Sequence, residues 1–248
     1  MATDSHARET RPFASEVKFL IDATTGAEIR DWVRSHLDAD PYGAGPFGDE
    51  YRTTSLYFDT DAGDVFHRRG SFGRSKYRVR RYGSSADVFL ERKLRRPGIL
   101  AKRRTRVPID ALDRLDAPDD PAWAGAWFHR RLRLREINPV CQVSYSRMAR
   151  TSPTADGPVR VTLDDNVCVA PASEARFGPA AGVPILDNRM ILELKFRRDL
   201  PVIFKRLITQ FVLAPEPASK YRLGVANLKD IGFSLVVATV ASDDLSHV

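Results

Sequence analysis

The 248-residue sequence holds only two cysteines, Cys141 and Cys168, both in apolar, strand-like surroundings. Two thiols cannot build the disulfide framework of a small secreted scaffold, so free buried thiols in a reducing compartment are expected. Histidine is scarce too. The five present show no ligand spacing, and His67 and His129 lie among arginines, which sets aside a histidine-built metal centre. Long apolar runs are missing. Residues 1–13 lack the apolar core of a secretory signal, and the late stretch 234–241 is far too short to cross a bilayer. A cytoplasmic protein without a membrane segment is the expectation. No composition shift or low-complexity tract marks a boundary, so residues 11–232 are expected to form one domain, with 1–10 and 233–248 as terminal segments.

What is abundant is basic charge. Lys and Arg number 39 against 32 Asp and Glu, a formal net charge of +7. That balance favours an anionic partner: nucleic acid, a phosphorylated small molecule, an inorganic polyanion or a membrane surface. With 43% hydrophobic residues the chain can also bury a sizeable core.

Period-two alternation predicts strands at 16–21, 53–59, 76–82, 87–94, 102–109, 140–148, 159–164 and 190–196, with 166–170 continuing the seventh. Residues 84–86 read as a hairpin turn. Three helices are predicted. One spans 25–37, with Thr25 and Glu28 as a capping box and Ile29, Trp32, Val33 and Leu37 as its apolar stripe. A second spans 121–135. A third starts near Pro201 and ends before Pro215, burying Ile203, Leu207, Ile208 and Phe211. Segments 40–50 and 171–188 are long loops.

One pattern recurs three times, in Glu16-Val17-Lys18, Glu91-Arg92-Lys93 and Glu193-Leu194-Lys195. Residues two apart on a strand share a face, so each Glu and Lys point the same way while apolar residues point the other. Arg78 and Arg80 flank Val79, and Arg160, Thr162 and Asp164 alternate with Val159, Val161 and Leu163. On any one strand this fits a solvated face. Repeated strand after strand, and dominated by Arg and Lys, it fits an inverted arrangement. The expected fold is α+β: a closed antiparallel barrel of about eight strands enclosing a polar, basic tunnel, with helices packed outside.

A cation-lined interior repels itself when empty and needs a polyanion. Arginine suits phosphate because its fork donates two parallel hydrogen bonds. Inward glutamates make sense where a divalent ion links them to phosphate oxygens. They would only repel a nucleic-acid backbone, so nucleic acid is not the expected ligand. The combination points to phosphoryl transfer, which needs positioning and charge neutralisation more than a covalent nucleophile.

The segments Glu16-Val17-Lys18-Phe19, Ser55-Leu56-Tyr57-Phe58-Asp59-Thr60, Arg78-Val79-Arg80-Arg81-Tyr82-Gly83, Phe89-Leu90-Glu91-Arg92-Lys93, Arg160-Val161-Thr162-Leu163-Asp164 and Leu192-Glu193-Leu194-Lys195 resemble the VTC domain, within the triphosphate tunnel metalloenzymes that include the CYTH proteins. The resemblance implies a metal-dependent phosphotransferase, a polyphosphate polymerase. It would move the γ-phosphate of ATP onto a growing polyphosphate, with Mn²⁺ or Mg²⁺ and with inorganic phosphate or pyrophosphate as further partners. Carried over by motif, the catalytic residues would be Lys18, Arg78, Arg80, Lys93 and Lys195. Substrate would be bound by Arg69, Lys102, Arg147, Arg160, Ser219 and Lys220, and metal by Glu193 with Glu16 and Glu91. Ala14 stands where the wider superfamily often has a first glutamate, which fits the VTC branch better than a two-metal hydrolytic site. A triphosphate or short-polyphosphate hydrolase and a non-catalytic polyanion binder are the alternatives. Tyr57 and Phe58 are expected to serve packing.

Overall fold

The computed structural model describes residues 15–96, 99–117, 120–155, 157–230 and 232. The terminal segments 1–10 and 233–248, the stretch 234–241 and Ala14 lie outside the described residues. In chain order the strands are β1 (Ser15–Asp22), β2 (Asp38–Ala39), β3 (Glu50–Asp59), β4 (Ser75–Tyr82), β5 (Asp87–Arg96), β6 (Ile99–Pro108), β7 (Asn138–Ser152), β8 (Val159–Pro171), β9 (Val183–Pro184) and β10 (Arg189–Phe196). The helices are α1 (Ala23–His36), α2 (Asp64–His67), α3 (Ala126–Arg135), α4 (Val202–Gln210) and α5 (Lys220–Asp230). Among the described residues, no helix is long and apolar enough to cross a membrane.

The eight long strands form one antiparallel sheet in the order β1-β10-β8-β7-β3-β4-β5-β6, with β2 added on β7 and β9 on β8. The closed barrel expected from the sequence is corrected here. Among the described residues no backbone pairing joins the edge strands β1 and β6. The sequence of β6 explains an open edge. It carries Lys102, Arg103, Arg104 and Arg106 on both of its faces, and a strand so charged repels a further strand.

The sheet nevertheless curls almost upon itself. Lys93 Nζ on β5 lies 2.7 Å from Glu16 Oε1 on β1. Six strand spacings of about 4.8 Å would hold these strands roughly 29 Å apart in a flat sheet. A side-chain ion pair therefore spans the gap that main-chain hydrogen bonds leave open.

The convex face is apolar and covered by helices. Around β1, β10 and β8, residues Phe19, Leu192, Leu194, Val161 and Leu163 pack with Ile29, Trp32 and Val33 of α1 and Phe204 and Leu207 of α4. Around β3 to β6, residues Leu56, Phe58, Val79, Val88 and Leu90 pack with Phe128 and Leu132 of α3. The concave face is charged except at one end. There Tyr57, Val143, Tyr145, Val167, Val169 and Ile191 meet Tyr221, Val225 and Leu228 of α5. Val167 and Val169 reach this cluster because Asn166 adopts a left-handed conformation (φ 47°) where the β7–β8 register shifts, breaking strict alternation along β8.

Helix ends differ from the sequence expectations. Asp22, not Thr25, caps α1: its carboxylate accepts from Thr25 N at 2.9 Å and Thr25 Oγ1 at 2.7 Å. Residues 121–125 form turns, and α3 begins only at Ala126. Helix α5 was not expected. Its buried stripe is Tyr221, Gly224, Val225 and Leu228. A Cβ on Gly224 would stand 2.9 Å from Val169 Cγ2, so glycine lets the helix settle against β8.

Candidate functional site

Register decides which side chains share the concave face. On β4, Arg78 lies between Tyr57 of β3 and Glu91 of β5, and Arg80 between Ser55 and Phe89. Glu91 then faces Arg104 of β6, and Lys93 faces Lys102. On β10, Glu193 lies between Lys18 of β1 and Thr162 of β8, and Lys195 between Glu16 and Arg160. Arg147 of β7 faces Asp164 of β8. Two-residue alternation on curved strands thus converges these charges on one surface.

Two carboxylates there are gripped by guanidinium groups. Glu91 accepts a 2.6 Å hydrogen bond from Arg78 Nε. Lys102 Nζ lies 3.0 Å and Arg104 Nε 3.2 Å from its other oxygen, the latter close enough to pair but not aligned as a hydrogen bond. Burial pushes this carboxyl up, yet Arg78, Arg80, Lys102 and Arg104 outweigh it and hold it well below the usual carboxylate range. Asp164 binds Arg147 through two bonds, Nε at 2.6 Å and Nη2 at 2.7 Å, and also accepts from Lys220 Nζ. Burial raises its pKa and these two cations more than reverse that.

Among the described residues, Glu193 has lysines alone within ion-pair distance. Lys195 Nζ is 2.9 Å from Oε1 and Lys18 Nζ 3.6 Å from Oε2. Here too burial raises the pKa, and Lys195 and Lys18 lead in pulling it well below the ordinary value. Arg160 Nη2 contacts Asp40 Oδ2 at 2.8 Å and Tyr51 OH at 3.0 Å. Arg80 Nε donates to Ser55 Oγ at 3.1 Å.

Of the residues singled out in the sequence, Arg69 alone stands apart. Its side chain is 56% exposed and contacts Asp64 Oδ1 at 3.3 Å and the Ala62 carbonyl at 3.2 Å. Glu91, expected to ligate a metal, already has both oxygens engaged by cations. Glu16 is taken by Lys93 at the gap between the sheet edges.

Several residues here were missed. Lys76, two positions before Arg78 on the same strand face, donates to Ser219 Oγ at 2.8 Å. Burial, then Lys18, Lys93 and Arg78, depress its pKa to about 8 against an opposing pull from Tyr57. Simple alternation would have found this lysine, as alternation already sets Arg104 two positions after Lys102 on one face. Tyr57 packs as expected, but its hydroxyl also lies 3.5 Å from Arg78 Nη1. Burial would raise that phenol, and Arg78 and Arg80 bring it down to about 8 instead.

Among the described residues, no three His, Cys, Asp or Glu side chains gather as an ion cage. The donor set fits a divalent ion only if phosphate oxygens complete its shell, the usual arrangement for Mg²⁺. Glu193 suits that role best, because its lysine partners are flexible point donors. Buried Thr53 Oγ1, Tyr145 OH, Thr162 Oγ1 and Arg160 Nε have no hydrogen-bond partner. Buried polar atoms left in this state are candidates for ligand contacts.

The family model of the VTC domain matches residues 13–229. No curated protein matches. Among solved structures, an adenylate cyclase-like protein from Bacillus halodurans has a TM-score of 0.52 at 15% identity, covering 82% of this chain and 92% of its own. An adenylyl cyclase-like protein from Hippeastrum with a dominant triphosphatase activity has a TM-score of 0.46 at 14% identity, covering 86% of this chain and 95% of its own.

Proposed function

This chain belongs to the VTC domain family, and from that premise we propose that it is a polyphosphate polymerase that uses ATP. One observation carries the reading. The concave sheet face collects Arg78, Arg80, Arg104, Arg147, Arg160 and six lysines, Lys18, Lys76, Lys93, Lys102, Lys195 and Lys220, around few carboxylates. Cations gathered at this density call for a bound polyanion, and a linear phosphate chain fits a narrow curled sheet.

In the proposed reaction a terminal oxygen of the polyphosphate attacks the γ-phosphorus of ATP. The bond from that phosphorus to the β–γ bridging oxygen breaks, and ADP leaves. Arg78, Arg80 and Arg147, oriented by Glu91, Ser55 and Asp164, present their positive charge to phosphate oxygens. Lys18, Lys93, Lys195 and Lys220 neutralise charge as it shifts toward the leaving group. Arg160, Lys102 and Ser219 extend the binding path. Mn²⁺ or Mg²⁺, held by Glu193 and phosphate oxygens, would supply further charge neutralisation. Residues 11–232 form the unit that carries this chemistry.

The test is incubation of the purified protein with ATP and Mn²⁺, followed by gel analysis and phosphorus NMR. ADP and long polymer are expected. Free phosphate without polymer would assign the same face to a hydrolase. Tripolyphosphate binding that persists in EDTA without turnover would leave only a polyanion binder.

A further inference from the structure

Most side chains of the concave face are pinned by strand ladders, but the Ser219 hydroxyl and the Lys220 ammonium are not. Ser219 ends an irregular segment, 213–219, and Lys220 is the first residue of α5. That segment touches β1 through Glu216 N, which donates to the Lys18 carbonyl at 2.9 Å. The placement of Ser219 and Lys220 therefore depends on how α5 is docked.

The docking centres on Asp59, at the end of β3. It is fully buried, and the proposed phosphate chemistry makes no use of it. Its carboxylate accepts from the backbone N–H groups of Thr60 (2.8 Å), Val65 (2.7 Å) and Phe66 (2.8 Å), and from the Tyr221 hydroxyl. The three amides fix the carboxylate to α2 and the turn before it. The hydroxyl ties it to α5. The Tyr221 ring also packs against Tyr57, with centroids 5.2 Å apart. Tyr221 is the immediate neighbour of Lys220, whose ammonium reaches Asp164, and lies two residues after Ser219, whose hydroxyl meets Lys76. A hydrogen bond to a buried carboxylate is strong and costly to leave unmade, so it can fix the rotation and depth of a short helix.

We propose that Asp59 and Tyr221 form a latch that positions Ser219 and Lys220 on the phosphate path. They are positioning residues, acting through Lys220 rather than on phosphate, and the inference rests on the polyphosphate reading of the site. A structural role alone would lower thermal stability and leave affinity at low temperature unchanged. A positioning role lowers affinity and couples to Lys220.

The experiment is calorimetric titration of tripolyphosphate, in EDTA and well below the melting temperature, into wild type, Tyr221→Phe, Lys220→Ala and the double variant. Loss of one charge-assisted contact weakens binding by ~10-fold or more, so Lys220→Ala sets that scale. Tyr221→Phe is expected to weaken binding several-fold, with little further loss when added to Lys220→Ala. Wild type that binds no tripolyphosphate overturns the functional reading and the latch with it. Wild type that binds, with Tyr221→Phe binding equally or the two losses simply adding, overturns the latch alone. Hydrogen exchange on wild type gives a check that needs no variant: tripolyphosphate should slow exchange of the 220–230 amides, and unchanged exchange there also overturns the latch.

Discussion

Two kinds of company surround the carboxylates of the concave face. Asp164 sits in the fork of Arg147, with bonds of 2.6 and 2.7 Å, and Glu91 takes a 2.6 Å bond from Arg78. Glu193 has Lys195 at 2.9 Å and Lys18 at 3.6 Å. A guanidinium fork is planar and rigid, and at Asp164 it occupies both oxygens. An ammonium is a single point on a flexible stem and can swing to a phosphate oxygen. The first arrangement makes a fixed counter-ion that holds arginines in place. The second makes a carboxylate that can be released to an ion arriving with substrate.

The largest effect is expected from Glu193→Gln. It should leave the fold intact and lower metal-dependent turnover by roughly 10²–10³-fold, reflecting several kcal/mol of lost charge neutralisation. Polymer formation at wild-type rate would falsify the role given to Glu193.

Asp164→Asn should do the reverse. Removing one partner from a buried ion pair typically costs about 3–5 kcal/mol, because Arg147 and Lys220 are left buried without their counter-charge. Urea denaturation of the two variants reads the contrast directly. If both lose the same stability, the distinction between fixed and releasable carboxylates is wrong.

A smaller effect is expected at single arginines. Arg78→Ala and Arg160→Ala should each weaken tripolyphosphate binding by roughly 10- to 100-fold, the loss of a charge-assisted contact of about 1.5–3 kcal/mol. The two differ in company: Arg78 is held by Glu91, whereas Arg160 rests on Asp40 and Tyr51 and keeps Nε without a partner. Unaltered affinity in both variants would remove the phosphate cradle from the account.

Alternation along strands was readable in the sequence because a period of two needs no tertiary knowledge. It found the eight long strands and the convergence of Lys18, Arg78, Glu91, Arg147, Arg160 and Glu193 on one face. What it could not supply were the events that depend on three dimensions. The open edge between β1 and β6 is set by side chains from opposite ends of the sheet. The face switch at Asn166 needs a left-handed residue that pattern alone does not announce. Helix α5 escaped notice because its stripe of Tyr221, Gly224, Val225 and Leu228 is short and includes a glycine. The glycine matters only once Val169 is known to lie beneath it. Arg69 was carried over by motif, and the structure places it beside Asp64 instead.

The mildest prediction concerns Lys76, a lysine of the concave face that has no carboxylate partner among the described residues. Tyr57, Lys18, Lys93 and Arg78 are the charged or titratable groups around it, and Ser219 takes its hydrogen bond. Its pKa of about 8 means that it is cationic near pH 7 and loses its charge as pH rises through 8. Bound phosphate favours the protonated form, so its help to binding is present below that point and fades above it. Tyr57, also near 8, acts in the same direction, because its ionisation adds negative charge beside Arg78. Tripolyphosphate affinity should therefore fall about fivefold between pH 7 and 9, equivalent to about 1 kcal/mol. Titrations in buffers of different ionisation enthalpy should show proton uptake on binding near pH 8.5. Lys76→Arg combined with Tyr57→Phe should flatten the profile, since arginine keeps its charge throughout and phenylalanine has none to gain. A profile as steep as that of wild type would move the titration to some other group on this face.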